Sequence, residues 1–121
     1  MADTGGADGR DRLTITAGDS DGIVVLALVG EIDYDSGDLL RHALRGAEVR
    51  TPPRVVIDLR GVTFMDSSGI NILIAAYREL TYLGGWLRMA ALAPAIERTV
   101  QLVGVDSVID CYPTLAEALA A

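Results

Sequence analysis

The stretch that decides the fold is VVIDLRGVTFMDSSGINILIAAYREL, which occupies residues 55–80. Its opening, residues 54–59 with Arg54 included, is an apolar run typical of a buried strand. After a short connection over residues 61–65, apolar residues recur at helical spacing as far as Leu80. The pattern predicts a strand, a loop and a helix, with the segment Asp66-Ser67-Ser68-Gly69 at the start of the helix.

The residues before this stretch predict a hairpin followed by a helix. Alternating apolar residues predict a strand over residues 13–17, and turn-forming residues follow at 18–22. The apolar run over residues 23–29 predicts a second strand, covered on both faces. Helical spacing then predicts a helix over residues 36–49, with Asp35 or Ser36 as its N-cap.

The residues after this stretch continue the alternation. We predict a strand around Leu87 and Met89, a helix from Pro94 to about Gly104, a short strand at residues 108–109 and a terminal helix over residues 113–121. A strand, a helix and a further strand in sequence imply a right-handed parallel crossover. The chain is therefore predicted to be an α/β protein with a mixed sheet of four to five strands and about four packed helices.

Composition limits the number of domains and the classes of partner. A chain of 121 residues suits one domain, which we place at residues 13–121. Residues 1–12 are rich in Gly and Asp and contain no apolar run, so we expect a flexible tail and a cytoplasmic protein without a signal peptide. The net charge of −7 argues against direct DNA or RNA binding and against an anionic membrane surface as partner, and we expect no membrane insertion.

Candidate catalytic and metal-binding residues are few. The chain has one cysteine, Cys111, and one histidine, His42, which exclude an intramolecular disulfide and a Cys/His zinc cluster within the chain. A hydrolase would need Ser67 or Ser68 as its nucleophile and His42 as its base, but no Gly-x-Ser-x-Gly motif surrounds these serines. We therefore expect no enzyme activity, metal or cofactor.

The two serines at the predicted helix start have two interpretations. Free backbone N–H groups and the helix dipole make this position favourable for a phosphate, so a phosphorylated serine would fit there. Alternatively, Asp66 or Ser67 only caps the helix, which is worth about 1 kcal/mol, and spacing alone favours this reading. Capping does not explain Gly69, which costs up to about 1 kcal/mol against Ala in a helix.

Three segments resemble bacterial anti-sigma-factor antagonists, which are single STAS domains: GEID at residues 30–33, VVIDL at 55–59 and FMDSSGI at 64–70. The similarity extends from about Leu13 to the end of the chain. It implies a STAS fold and identifies Ser67, and less so Ser68, as the phosphoacceptor of a kinase that is also the anti-sigma factor.

The resemblance also implies a partner switch of the kind used in stress response and sporulation. The unphosphorylated protein binds the anti-sigma factor and frees a sigma factor, phosphorylation of Ser67 reverses binding, and a serine phosphatase resets the cycle. ATP and magnesium then belong to the kinase, and the chain needs no cofactor. The same fold could instead serve as a subunit of a stressosome-like or transporter-associated complex.

The predicted docking surface joins two loops. Parallel strands end at the same edge of a sheet, so Asp33 and Ser67 are expected to be neighbours there. With the resemblance, the predicted partner-binding residues are Asp33, Asp66, Ser67, Ser68, Gly69 and Ile70. The chain departs from the family pattern at Asn71 and at residues 34–37 (YDSG), close to this surface, which leaves the identity of the partner open.

Overall fold

The computed structural model describes residues 12–121, and within them a five-stranded sheet is packed against four helices. The strands are β1 (Thr14–Ser20), β2 (Ile23–Ile32), β3 (Arg54–Met65), β4 (Trp86–Ala90) and β5 (Asp110–Tyr112). The helices are α1 (Gly37–Ala47), α2 (Ser67–Tyr82), α3 (Pro94–Leu102) and α4 (Leu115–Ala120). The α/β class and the element counts are confirmed. The predicted tail lies outside the described residues except for Arg12.

The sheet has the strand order β1-β2-β3-β4-β5, with β1 antiparallel to β2 and every other neighbouring pair parallel. One face of β3, with Val55 and Ile57, packs in the main core together with residues of α1, α2 and α3. The opposite face, with Val56, packs in a smaller cluster with Ala118 of α4. The three parallel crossovers thus place α1 to α3 on one side of the sheet, and α4 is the one helix of residues 12–121 on the other side.

The first hairpin is tighter than the sequence predicts. The expected turn over residues 18–22 is wrong, because β1 continues through Ser20, which pairs with Ile23. Only Asp21 and Gly22 form the turn, and both have positive φ, 50° and 85°. Two consecutive residues with positive φ are what a two-residue hairpin turn requires, and such a turn matches the twist of the strands.

The ends predicted for β2 and β3 are also wrong. β2 runs on to Ile32 and β3 to Met65, so both strands extend well past their continuous apolar runs. Irregular pairing between Ala27 and Val29, and again at Gly30, separates the two halves of the ladder. The cover on both faces of β2 is incomplete, since Val29 is 55% exposed. Because both strands are longer than predicted, the loops that follow them begin only at residues 33 and 66.

The helices agree better with the sequence than the last strand does. The predicted helices at residues 36–49 and 113–121 are confirmed as α1 and α4 with slightly shorter bounds. The strand predicted at residues 108–109 is wrong: β5 begins at Asp110, a 3-10 turn occupies Val105–Ser107, and Ile109 is fully buried. Ile109 is apolar because it is buried between the 3-10 turn and β5, and this burial explains why the apolar pair at residues 108–109 was predicted to be a strand.

The side chain of Arg88 connects β4 to α4. Its guanidinium lies 3.7 Å from the centroid of the Trp86 ring and 5.9 Å from that of Tyr112. One of its nitrogens, Nη1, donates a hydrogen bond of 2.9 Å to the carbonyl oxygen of Ala118. A cation over aromatic rings that also caps the last turn of a helix combines two favourable interactions.

We expect Arg88→Ala to lower the free energy of unfolding by about 2 kcal/mol, because the cation–π contact and the bond to α4 are lost together. Chemical denaturation measures the change. Arg98→Ala is the matched control, since Arg98 is exposed on α3 and should change stability by no more than about 0.5 kcal/mol. Equal effects of the two substitutions would contradict this role of Arg88.

Candidate functional site

The loops after β2 and β3 leave the sheet side by side. The last pair in the ladder joins Ile32 to Met65, so Asp33 and Asp66 are the first residues of their loops. The backbone N–H of Asp66 donates to the carbonyl oxygen of Ile32 at 3.1 Å, which ties the two loop starts together. The predicted proximity of the two loops is confirmed, while the roles of their residues in binding stay predictions.

Asp66, and not Ser67, caps α2. Its backbone is extended and its Oδ1 accepts a hydrogen bond of 2.8 Å from the N–H of Ser68. Its carbonyl oxygen also accepts from the N–H groups of Gly69 and Ile70, at 3.1 and 3.3 Å. Ser67 is the first residue of the helix, it is exposed, and within residues 12–121 its hydroxyl has no hydrogen-bond partner. The cap therefore leaves the Ser67 hydroxyl available, while Ser68 is half-buried.

Gly69 and Ile70 are buried, whereas Ser67, which precedes them in α2, is exposed. A Cβ added at Gly69 would lie 2.6 Å from Cγ2 of Ile32 and 2.9 Å from Cγ of Met65, both closer than normal van der Waals contact. Ile70 is only 7% exposed and belongs to the main core. Glycine is thus needed because the start of α2 rests directly on the ends of β2 and β3. These two residues set the position of the serines.

Asp33 is held in place by Ser36. The backbone N–H of Asp33 donates to Oγ of Ser36 at 2.9 Å, and the N–H of Ser36 donates to Oδ1 of Asp33 at 3.0 Å. The Ser36 hydroxyl is also 3.0 Å from the same carboxylate oxygen. Ser36, not Asp35, is the residue that precedes α1. These reciprocal bonds close the loop and hold the carboxylate at the edge beside Asp66.

A cleft of about 480 Å³ separates the starts of α1 and α2. Tyr34, Asp35, Gly37, Asp38 and Arg41 line it on one side, and Ser68 and Asn71 line it on the other. The residues at which the sequence departs from the family pattern therefore face each other across it. Sequence reasoning missed the ion pair in this cleft, in which Nη1 of Arg41 lies 2.7 Å from Oδ1 of Asp38. The signal was their i,i+3 spacing on a helix.

The remaining candidates for chemistry lie elsewhere. Burial, together with the nearby carboxylates of Asp106 and Asp110, raises the pKa of the Cys111 thiol to about 11, so it is protonated and unreactive at neutral pH. His42 is exposed on α1. Residues 12–121 contain no group of three or more His, Cys, Asp or Glu side chains that could hold a metal ion. In the same part of the chain, no helix is long and apolar enough to cross a membrane.

Known proteins are similar to this chain over most of its length. The family model for the STAS domain matches residues 14–118. The anti-sigma-F factor antagonist RsfB of Mycobacterium tuberculosis is 32% identical over 111 residues, which cover 90% of this chain and 88% of RsfB. A crystal structure of an anti-sigma factor antagonist from Mycobacterium paratuberculosis superposes with a TM-score of 0.82 and 37% identity, covering 89% and 92% of the two chains.

A more distant neighbour shares the fold. The anti-sigma factor antagonist SpoIIAA in its unphosphorylated form superposes with a TM-score of 0.74 at 21% identity, and the match covers 88% of this chain and 93% of the SpoIIAA chain. A structure of SpoIIAA from Bacillus in its phosphorylated form matches with a TM-score of 0.67 at 22% identity, covering 88% and 97%. The same fold thus accommodates both states of that protein.

Proposed function

Since the chain belongs to the STAS-domain family of anti-sigma-factor antagonists, we propose that its unphosphorylated form binds an anti-sigma factor that is also a serine kinase. Binding removes the anti-sigma factor from a sigma factor. The kinase then phosphorylates Ser67 and the complex dissociates, and a serine phosphatase restores the binding form. The names of the relatives support the anti-sigma partner, and the phosphorylated form of SpoIIAA supports the switch.

One observation carries the assignment of Ser67. Asp66 provides the cap of α2, so the Ser67 hydroxyl is exposed at the first helical position and is not engaged within residues 12–121. A phosphoryl group added there stays in solvent near the positive end of the helix dipole, and the core of the domain is undisturbed. Ser68 is a poorer acceptor because its side chain is half-buried on the wall of the cleft.

The proposed role is that of a substrate and binding module, not of an enzyme. ATP and magnesium are supplied by the kinase, and no cofactor is required of this chain. The net charge of −7 favours a protein partner over a nucleic acid. Because the sigma factor that such a switch controls acts in transcription, we propose that the chain acts in the cytoplasm and not in a membrane.

Phosphopeptide mapping tests this proposal. We expect the wild-type chain, incubated with ATP, magnesium and each purified anti-sigma kinase of the source organism, to gain one phosphate on Ser67. Trypsin cleaves after Arg60 and Arg78, so both serines and Thr63 fall in one peptide, and fragment ions must place the phosphate. Ser68→Ala is the matched control and should be phosphorylated like the wild type. Phosphate on another residue, or on none with every kinase, would overturn the assignment.

A further inference from the structure

Tyr34 is an exposed aromatic residue next to the proposed phosphorylation site. It follows Asp33 directly, it is 82% exposed, and it lines the cleft between α1 and α2 together with Ser68 and Asn71. An aromatic ring this exposed buries little of its surface in the free protein. The loop that carries it is closed by the bonds between Asp33 and Ser36, so its backbone is already ordered before any partner binds.

The surroundings of Tyr34 are acidic. Asp33 and Asp66 begin the two loops, and Asp35 and Asp38 line the cleft itself. Among the described residues that line the cleft, Arg41 is the one cation, and its guanidinium is paired with Asp38 at 2.7 Å. A surface with this charge pattern attracts a basic partner surface and repels an acidic one.

We propose that Tyr34 anchors the anti-sigma partner by inserting its ring into an apolar socket that basic side chains surround. This inference rests on the proposed function, because it concerns the same anti-sigma partner and extends its binding surface from Ser67 to Tyr34. An aromatic side chain brings a large contact area with few rotatable bonds, and such residues dominate the binding energy of interfaces. Since the loop is ordered beforehand, little further entropy is lost on binding.

Tyr82 provides a matched control for Tyr34. Both are tyrosines with nearly equal exposure, 82% and 85%, but Tyr82 is the last residue of α2 and Ser67 is the first. Tyr34 lies in the loop before α1 and lines the cleft with Ser68 at the start of α2, whereas Tyr82 lies at the other end of α2. Because both rings are exposed, their removal should affect stability equally little. Any difference in binding between the two variants reports on their position relative to Ser67.

The experiment measures the affinity of the unphosphorylated variants for the anti-sigma kinase that phosphorylates the wild-type chain. We expect Tyr34→Ala to bind at least about tenfold more weakly than wild type, Tyr34→Phe to bind nearly as wild type, and Tyr82→Ala to bind as wild type. Equal affinities of Tyr34→Ala and Tyr82→Ala would overturn the proposal. This holds whether the two alanine variants both bind like the wild type or both bind more weakly to the same extent.

Salt dependence tests the basic partner surface. We expect the wild-type affinity to fall as salt is raised, and Asp35→Asn to reduce this dependence because one acidic side chain of the cleft is neutralised. An affinity that does not respond to salt would overturn the charge argument. Failure of the Tyr34 test with phosphate mapped to Ser67 rejects only this inference, whereas absence of phosphorylation rejects the proposed function beneath it.

Discussion

Ser67→Glu should bind the anti-sigma factor about 30-fold or more weakly than the wild-type chain. The substitution places a permanent negative charge and a longer side chain where the proposed interface accommodates a neutral hydroxyl, close to the carboxylate of Asp66. Desolvation of the new charge outweighs its attraction to basic partner side chains by about 2–5 kcal/mol, and each 1.4 kcal/mol is a factor of about ten in affinity. Calorimetric titration of purified proteins measures the loss.

Two further variants separate charge from shape. Ser67→Ala keeps the neutral character of the site, so it should bind the partner about as tightly as wild type and accept no phosphate. Ser68→Glu places the same charge one residue later, on the wall of the cleft, and is expected to weaken binding less. Because Ser67 is exposed, both Ser67 variants should melt at the wild-type temperature. Undiminished phosphorylation of Ser67→Ala, or tight binding by Ser67→Glu, would contradict the switch.

The strand-to-helix junction could be predicted from sequence because its signals are local. Apolar run length, helical spacing and a polar segment between them placed the start of α2 within residues 66–69, and in the structure the helix begins at Ser67. The proximity of Asp33 to this junction followed from the parallel order of β2 and β3, which depends on topology alone. Features that depend on local sequence or on strand order alone could therefore be predicted from the sequence.

Features that depend on contacts between distant segments could not be predicted. The extended ends of β2 and β3 pair through register irregularities that no pattern in the sequence predicts. These extensions determine where the loops begin. Spacing also left both Asp66 and Ser67 as possible caps, and only the bond from the Ser68 N–H to Asp66 decides between them. The cleft is a further case, since its two walls are about 30 residues apart in sequence.

Gly85→Ala is the substitution expected to damage the fold most. A Cβ at Gly85 would overlap the carbonyl oxygen of Pro53 and lie 2.6 Å from its carbonyl carbon. That oxygen also accepts the N–H of Trp86 at 3.0 Å, the bond that starts the pairing of β3 with β4. A clash with backbone atoms cannot be relieved by a side-chain rotation, so we expect a loss of about 3 kcal/mol or more in the free energy of unfolding.

Gly46→Ala is the matched control for this prediction, and phosphorylation by the anti-sigma kinase extends the test to function. A Cβ at Gly46 in α1 meets nothing within 4 Å, so alanine should leave stability unchanged or raise it by about 0.5 kcal/mol through helix propensity. Gly85 adjoins the start of β3, whereas Ser67 follows its end. Folded Gly85→Ala protein should therefore be phosphorylated at the wild-type rate, and the total phosphate incorporated should fall only in proportion to the unfolded fraction. A slower rate in the folded fraction would show that the start of β3 also controls the Ser67 site.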